Sequence, residues 1–282
     1  MNQLNQAKQV QVIAALVEGN SVRATVRMTG ASKNAIARLM ARLGPACERF
    51  QAEKLRNLPC KKIQCDEIWS FCYAKQKNVP ADKQGQFGYG DVWTWVAIDP
   101  DTKLIPCFTL GGRGPATAKT FMDDLAARLA NRVQLTTDGH RVYLDAVENA
   151  FGSNVDYAML VKVYGEDRGE REVRYSPGEY VGCRAMPMTG NPKKRDISTS
   201  FVERQNLTMR MQMRRFTRLT NAFSKKVENL GWAVALHFMH YNFCRVHQTL
   251  RVTPAMEAGI ADHVWSIEEL VATALNPITR VA

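Results

Sequence analysis

The sequence has no apolar run approaching the ~18 to 20 residues that a membrane-spanning helix requires. Its opening stretch, MNQLNQAKQV, lacks the apolar core of a secretion signal. Both absences lead to the expectation of a cytoplasmic protein. There is no internal repeat and no low-complexity tract, which sets repeat architectures aside. The seven cysteines are odd in number and scattered, at 47, 60, 65, 72, 107, 183 and 244. Cys60, Cys65 and Cys72 have no second Cys or His pair at finger spacing, so a zinc site is not supported. The expectation is reduced cysteines in the core.

What is present is a chain of 282 residues, 45% hydrophobic, long enough for one large domain and a small appendage. Its 38 Lys and Arg against 27 Asp and Glu leave a net charge of +11. That charge is concentrated. Residues 1–58 hold nine basic and three acidic side chains and residues 191–226 hold ten and two, so the rest of the chain is slightly acidic. Two basic stretches on an otherwise balanced surface point to a polyanion as partner, double-stranded DNA first among the candidates.

The periodicity divides the chain. Residues 8–18 read as a helix with Val10, Ile13, Ala14 and Val17 on one face, closed by Gly19-Asn20. Ser21 caps a second helix that runs into Thr29-Gly30. Ser32 caps a third, which aligns Ile36, Leu39, Met40 and Leu43 and leaves Lys33, Asn34, Arg38 and Arg42 on its open face. Three short helices with cations outward on the third suit either a helix-turn-helix reader of the major groove or a plain three-helix packing unit. We take residues 1–56 as a helix-turn-helix DNA-binding domain, 57–250 as a second, larger domain and 251–282 as a C-terminal tail.

From residue 63 the pattern changes to strands: 63–73, 92–99, 104–110, 133–137 and 157–164, with a helix that carries Phe121, Met122, Leu125 and Leu129 and runs up to Arg132, after a break at 111–115, and another over 140–151. This order predicts an α/β domain with a mixed five-stranded sheet flanked by helices. Residues 165–200 show no sustained period and are expected to be an irregular insert.

Carboxylates at three places stand out. Asp66 and Glu67 are adjacent on the first strand, so they project from opposite faces, and the expectation is that only one joins a given metal site. Asp138 ends the fourth strand before Gly139, a position that suits a metal ligand or a helix cap. Glu203 lies in a helix spanning SFVERQNLTMRMQMRRF, where positions 203, 207, 210 and 214 share a face that carries Arg210 and Arg214. The alternative is an ordinary exposed helix with an Arg204 or Gln205 edge. Three gathered carboxylates would bind two Mg²⁺ or Mn²⁺ ions, which activate an attacking oxygen and stabilise a leaving 3′ oxygen at phosphorus.

Four strings then carry a resemblance: CDEIW at 65–69, TDG at 137–139, VERQNLTMR at 202–210 and AFSKKVE at 222–228. Together they resemble the DDE transposases of small bacterial insertion sequences, of the D-E-x-W type, over residues 60–245. The resemblance implies an RNase H-like fold, with the first acid on the first strand, the second just after the fourth and the glutamate on a later helix. It implies Asp66, Asp138 and Glu203 as catalytic and metal-binding residues, and polar roles for Asn206 and Arg210. Lys193, Lys194, Arg195, Asn206, Arg210 and Arg214 join the third-helix cations as expected DNA contacts. It further implies cleavage and strand transfer at an element's terminal repeats, by a homodimer or larger assembly on DNA in the nucleoid.

The chain departs from the pattern in two places. A helix-turn-helix pattern stands where members of that type have a zinc finger, and the gap from Asp138 to Glu203 is longer than in compact members. The ending Tyr241-Asn242, Arg245, His247, Leu250, Thr253-Pro254 looks like the closing helix of integrase-type domains or an ordinary helix stopped by proline. His140 and His247 are left as structural or substrate-contact residues, since two-metal chemistry needs no histidine base. A non-catalytic DNA-binding relative and a general RNase H-like nuclease remain as other readings.

Overall fold

The computed structural model describes residues 3–164, 180–217 and 221–275. Helices α1 (Gln6–Val17), α2 (Val22–Thr29) and α3 (Lys33–Lys54) begin at side-chain caps, where Asn5, Ser21 and Ser32 each accept from a backbone N–H three residues on. Gly30, in the left-handed region at φ 71°, closes α2. α3 continues through Gly44-Pro45 for 22 residues, and its second half buries Gly44, Ala46, Cys47 and Gln51. A Cβ on Gly44 would lie 2.2 Å from Trp232 Cβ, so the glycine is what lets the two helices approach there.

The strands are β1 (Lys62–Cys72), β2 (Gly90–Ile98), β3 (Phe108–Gly111), β4 (Val133–Asp138), β5 (Val155–Tyr164) and β6 (Tyr180–Thr189). They form one six-stranded sheet in the order β3-β2-β1-β4-β5-β6. β1, β4 and β5 run parallel, while β2, β3 and β6 are antiparallel to their neighbours. The five strands expected from sequence are therefore six. Residues 180–189, assigned to an irregular insert, form the edge strand β6 on β5. Its sequence hides it, because Gly182, Pro187 and mixed polarity break the alternation. An edge position tolerates all three. Residues 165–179 lie outside the described residues.

Helices α4 (Pro115–Arg128) and α5 (Val142–Phe151) cover one face of the sheet, where Trp95 meets Phe121 and Tyr143. Helix α6 (Ser200–Gln212) covers the other, burying Val202 and Met209 with Ile68 and Val96. The strand alternation sorts these contacts: even-numbered residues of β1 and β2 face α6, and odd-numbered ones face α4 and α5. Helix α7 (Val227–Phe243) is buried nearly all round and contributes to both cores, as a helix without a polar face must.

Asn242 on α7 acts as a surrogate strand. Its amide donates to the Ile105 carbonyl and its oxygen accepts from the Ile105 N–H, both at 3.0 Å, in the stretch just before β3 where no strand pairs. After the short α8 (Pro254–Glu257), α9 (Ile267–Leu275) returns to the first core, with Leu270 and Val271 buried and Gln6 bonded to Glu268. Helices α1, α3, α7 and α9 thus share one hydrophobic core with the sheet. No helix among the described residues is long and apolar enough to cross a membrane.

Candidate active site

β1 pairs with β4 only as far as Cys65 and Thr137. One residue further on, β4 ends at Asp138 and the edge of β1 opens. Asp66 projects toward α6 and Glu67 toward α4 and α5, as the pleat requires. Even so, among the described residues Asp66, Glu67 and Asp138 each bring a carboxylate oxygen to within 4.8 Å of the others. This corrects the expectation that only one of the adjacent pair could join a site. Alternation separates the Cβ atoms, but past the end of β4 no strand stands between the two faces, and the longer glutamate reaches across.

Each acid is held by named partners. Asp66 Oδ1 accepts from the Glu67 N–H at 2.8 Å and Oδ2 from Asn206 Nδ2 at 2.9 Å. Asp138 Oδ1 accepts from the His140 N–H at 3.0 Å. Glu67 Oε2 accepts from Arg113 Nε at 3.2 Å, and Arg113 Nη2 lies 3.8 Å from Asp138 Oδ2. Burial, and then the charges of Asp138 and Glu67, push the Asp66 carboxyl up to about 7. Burial also raises Glu67, opposed by the Tyr143 hydroxyl and by Arg113. The Glu67 side chain is fully buried, and its Oε1 has no hydrogen-bond partner. The Tyr143 hydroxyl, also buried, lies near enough to favour the Glu67 carboxylate but outside hydrogen-bond geometry.

The expected site residues separate into those brought together and those kept apart. Glu203 sits in the first turn of α6, one turn before the Asn206 that grips Asp66. Its own carboxylate accepts from Thr199 Oγ1 at 2.6 Å and pairs with Lys162 Nζ on β5 at 2.8 Å. It stands beside the three clustered acids rather than among them. Asn206, expected to touch DNA, is buried and turned to Asp66, because it lies on the α6 face packed on β1. Arg210 lies in the last turn of α6, half-buried. Arg214 is exposed but does not continue the helix face, since Met213 turns extended to bury with Phe216.

Lys193, Lys194 and Arg195 are exposed in a loop whose Lys193 backbone is bonded at both N–H and C=O by the Gln134 amide. Gln134 is near the start of β4, about 13 Å along the strand from Asp138 at ~3.3 Å per residue. On α3, Lys33, Asn34, Arg38 and Arg42 are all exposed, with Arg42 bonded to Gln3. His140 is drawn to the Arg113 carbonyl, its Nε2 at 3.3 Å.

Three residues of the site have no sequence motif. Gln64, two before Asp66 on the same face of β1, accepts from the N–H groups of Phe201 and Val202, and so fixes the start of α6. A buried glutamine two residues before Asp66 on the same strand face is the signal that marks it. Arg113 stands in Gly111-Gly112-Arg113-Gly114, a string that reads as a loop and nothing more. Lys162 follows a hydrophobic strand pattern without interrupting it.

The donor set suits a hard divalent cation. All its atoms are carboxylate oxygens, one is buried without a partner, and the burial and mutual repulsion that together raise Asp66 are what a cation would offset.

No protein-family model matches the chain, and no curated protein matches it. Among solved structures it is similar to the piggyBac transposase synaptic complex with hairpin DNA, at 11% identity over 96% of this chain and 69% of that one, with a TM-score of 0.42. It is also similar to the Mos1 mariner paired end complex with Mn, at 14% identity over 56% of this chain and 59% of that one, TM-score 0.24. A Mos1 transposase paired-end complex with left transposon end matches at 15% identity over 56% and 60%, TM-score 0.24. The chain spans about three fifths of the length of the Mos1 chains it matches. Likeness at these identities and scores assigns the chain no activity; the chemistry of the site has to do so.

Proposed function

We propose that this protein is a DDE transposase with an RNase H-like catalytic domain, which cuts DNA at the ends of a mobile element and joins those ends to a target. The observation that carries the reading is the meeting of Asp66 on β1 with Asp138 at the end of β4, under an α6 that brings Glu203 alongside through the Asn206–Asp66 bond. Support also comes from the exposed cations of α3, which we take as a helix-turn-helix reader of the terminal repeats, and from the net charge of +11.

In this reading Asp66, Asp138 and Glu203 hold Mg²⁺ or Mn²⁺. Two such ions supply charge to the attacking and leaving oxygens of an in-line displacement at phosphorus. The chain's own part is positioning. Gln64 sets the start of α6, Asn206 orients Asp66, and His140 holds Asp138 through its backbone N–H. A second assignment of the third acid is favoured by the 4.8 Å grouping, in which Glu67 stands where Glu203 is expected. The site is intended to act on two DNA ends held together, so assembly as a dimer or larger on DNA is part of the proposal.

The test uses the DNA that flanks the gene as substrate. Purified protein with Mg²⁺ or Mn²⁺ should nick end-containing duplex in preference to random duplex. Asp66→Asn and Asp138→Asn should each abolish nicking and leave band-shift binding intact, and comparison of Glu203→Gln with Glu67→Gln assigns the third acid. Undiminished nicking by Asp66→Asn would end the proposal, and equal cutting of random duplex would favour a general nuclease instead.

A further inference from the structure

The three acids of the cluster and Glu203 are not all open to an ion. Two half-exposed cations lie on them. Arg113 bonds Glu67 and reaches Asp138, and Lys162 is 2.8 Å from Glu203. The Arg113 side chain is 43% exposed and that of Lys162 is 40% exposed, so each has one side on a carboxylate and another on solvent.

Arg113 is also held in place rather than merely near. Its guanidinium lies over the Trp93 ring, with Cζ 4.6 Å from the centroid. Its loop is pinned from below by Trp95 Nε1, which donates to the Gly112 carbonyl at 3.1 Å, and by His140 at the Arg113 carbonyl. Gly111 has no room for a side chain, since a Cβ there would meet Thr117 at 2.4 Å. A guanidinium stacked on an indole and fixed by its own backbone is built to present its fork in one direction.

We propose that Arg113 and Lys162 are phosphate-contacting positioning residues that, in the DNA-free protein, rest on the metal-site carboxylates and so make ion binding depend on DNA. This rests on the reading of the acids as a metal site. The physical basis is competition for the same oxygens. A divalent ion between Asp66, Asp138 and their neighbours repels a guanidinium bonded to Glu67 and near Asp138, and an ammonium bonded to Glu203. A phosphodiester at the cluster offers both cations another anion, and Arg matches its two oxygens in a fork. DNA then releases the carboxylates for the ion, and the ion releases the cations for DNA. By linkage the two effects are equal.

The measurement is Mn²⁺ affinity of the full chain, read from the free-ion paramagnetic signal, with and without a short duplex. A second readout is duplex affinity by fluorescence anisotropy, with and without Ca²⁺. Wild type should bind Mn²⁺ about tenfold more tightly with duplex present, within the usual range of coupling. Arg113→Gln should bind Mn²⁺ about tenfold more tightly than wild type without DNA and lose most of the coupling. Lys162→Gln should do the same to a lesser degree, and it serves as the test if Arg113→Gln fails to fold. Unchanged or weaker Mn²⁺ affinity in the folded variants, or full coupling retained, overturns the inference. The Asp66→Asn, Asp138→Asn double variant separates the two levels: if it binds Mn²⁺ like wild type, the metal-site reading itself fails, whereas its loss of binding beside an unaltered Arg113→Gln rejects only the role of the cations.

Discussion

Replacing Asn206 with aspartate tests the site with a change of one functional group. Asn206 Nδ2 donates to Asp66 Oδ2 at 2.9 Å, and both groups are enclosed between α6 and β1. In Asn206→Asp the donor becomes a second carboxyl facing the first. Two ionised carboxylates at that distance repel by about 6 kcal/mol at an effective dielectric of ~20. The pair relieves this by sharing one proton. Taking up that proton costs about 6 kcal/mol at pH 8 and only about 1.5 kcal/mol at pH 5, relative to an unfolded aspartate. The wild-type Asp66, pushed up to about 7, already carries about 4 kcal/mol of that cost when ionised at pH 8.

With the lost charge-assisted bond at about 2 kcal/mol, the variant should be about 4 kcal/mol less stable than wild type at pH 8 and less than about 2 kcal/mol at pH 5. Urea denaturation of both proteins at the two pH values, with EDTA, reads the difference. Mn²⁺ at pH 8 should recover part of the loss, because the added carboxylate is another hard ligand. The Asn206→Ala control should lose about 2 kcal/mol at pH 8, for the missing donor alone. A loss equal at both pH values, or no loss at pH 8, refutes the claim that Asn206 steadies a strained acid.

The protein should also lose stability in acid through α7. Burial holds His237 at about 3 and His240 at about 4, both below the unfolded value near 6.5. The unfolded chain therefore takes up two protons that the native one refuses, so the stability these residues contribute is present above pH 6.5 and falls as pH drops toward 4. At pH 5 the loss is about 4 kcal/mol for the pair, and urea unfolding of a His237→Phe, His240→Phe variant should show that part of the pH dependence removed; an unchanged slope between pH 7 and 5 rejects it. Gly44→Ala should destabilise by about 3 kcal/mol, since the new Cβ would meet Trp232 Cβ at 2.2 Å and Cα at 2.6 Å and no rotamer of Trp232 can move its backbone. The same change on an open helix face would stabilise by about 1 kcal/mol, and that outcome in thermal or urea unfolding would show that α3 and α7 do not pack there.

Much of the scaffold was legible residue by residue. The β-branched and aromatic content of 63–73 located β1 to within a residue at each end, and the caps Ser21 and Ser32 located α2 and α3. These are local signals, read from neighbours two to four positions apart. Where local signals conflicted, the reading failed: Pro187 and Gly182 concealed β6, whose strand state depends on its pairing with β5. Of the strand expected over 104–110 only 108–111 is formed: the Leu104 and Cys107 carbonyls still accept from Asp99 and Ala97, but Pro106 has no N–H to donate and both backbone groups of Ile105 bond to Asn242. Cys183 is exposed, unlike the five buried cysteines of the core, for the same reason: it lies on the edge strand.

By itself, then, the sequence determined that Asp66 and Glu67 occupy opposite faces of one strand, that Asp138 ends another, and that Glu203 rides a helix, since each follows from a local period. Only the tertiary structure decided which of these acids meet. It ends β4 at Asp138, so that carboxylates from both faces converge, and it docks α6 by Gln64 and Asn206, so that Glu203 lies beside them. It also lays Arg113 on Glu67 and Lys162 on Glu203, from 46 and 41 positions away along the chain. Such meetings depend on strand order and on where a strand stops, and neither leaves a periodic trace in the residues that meet.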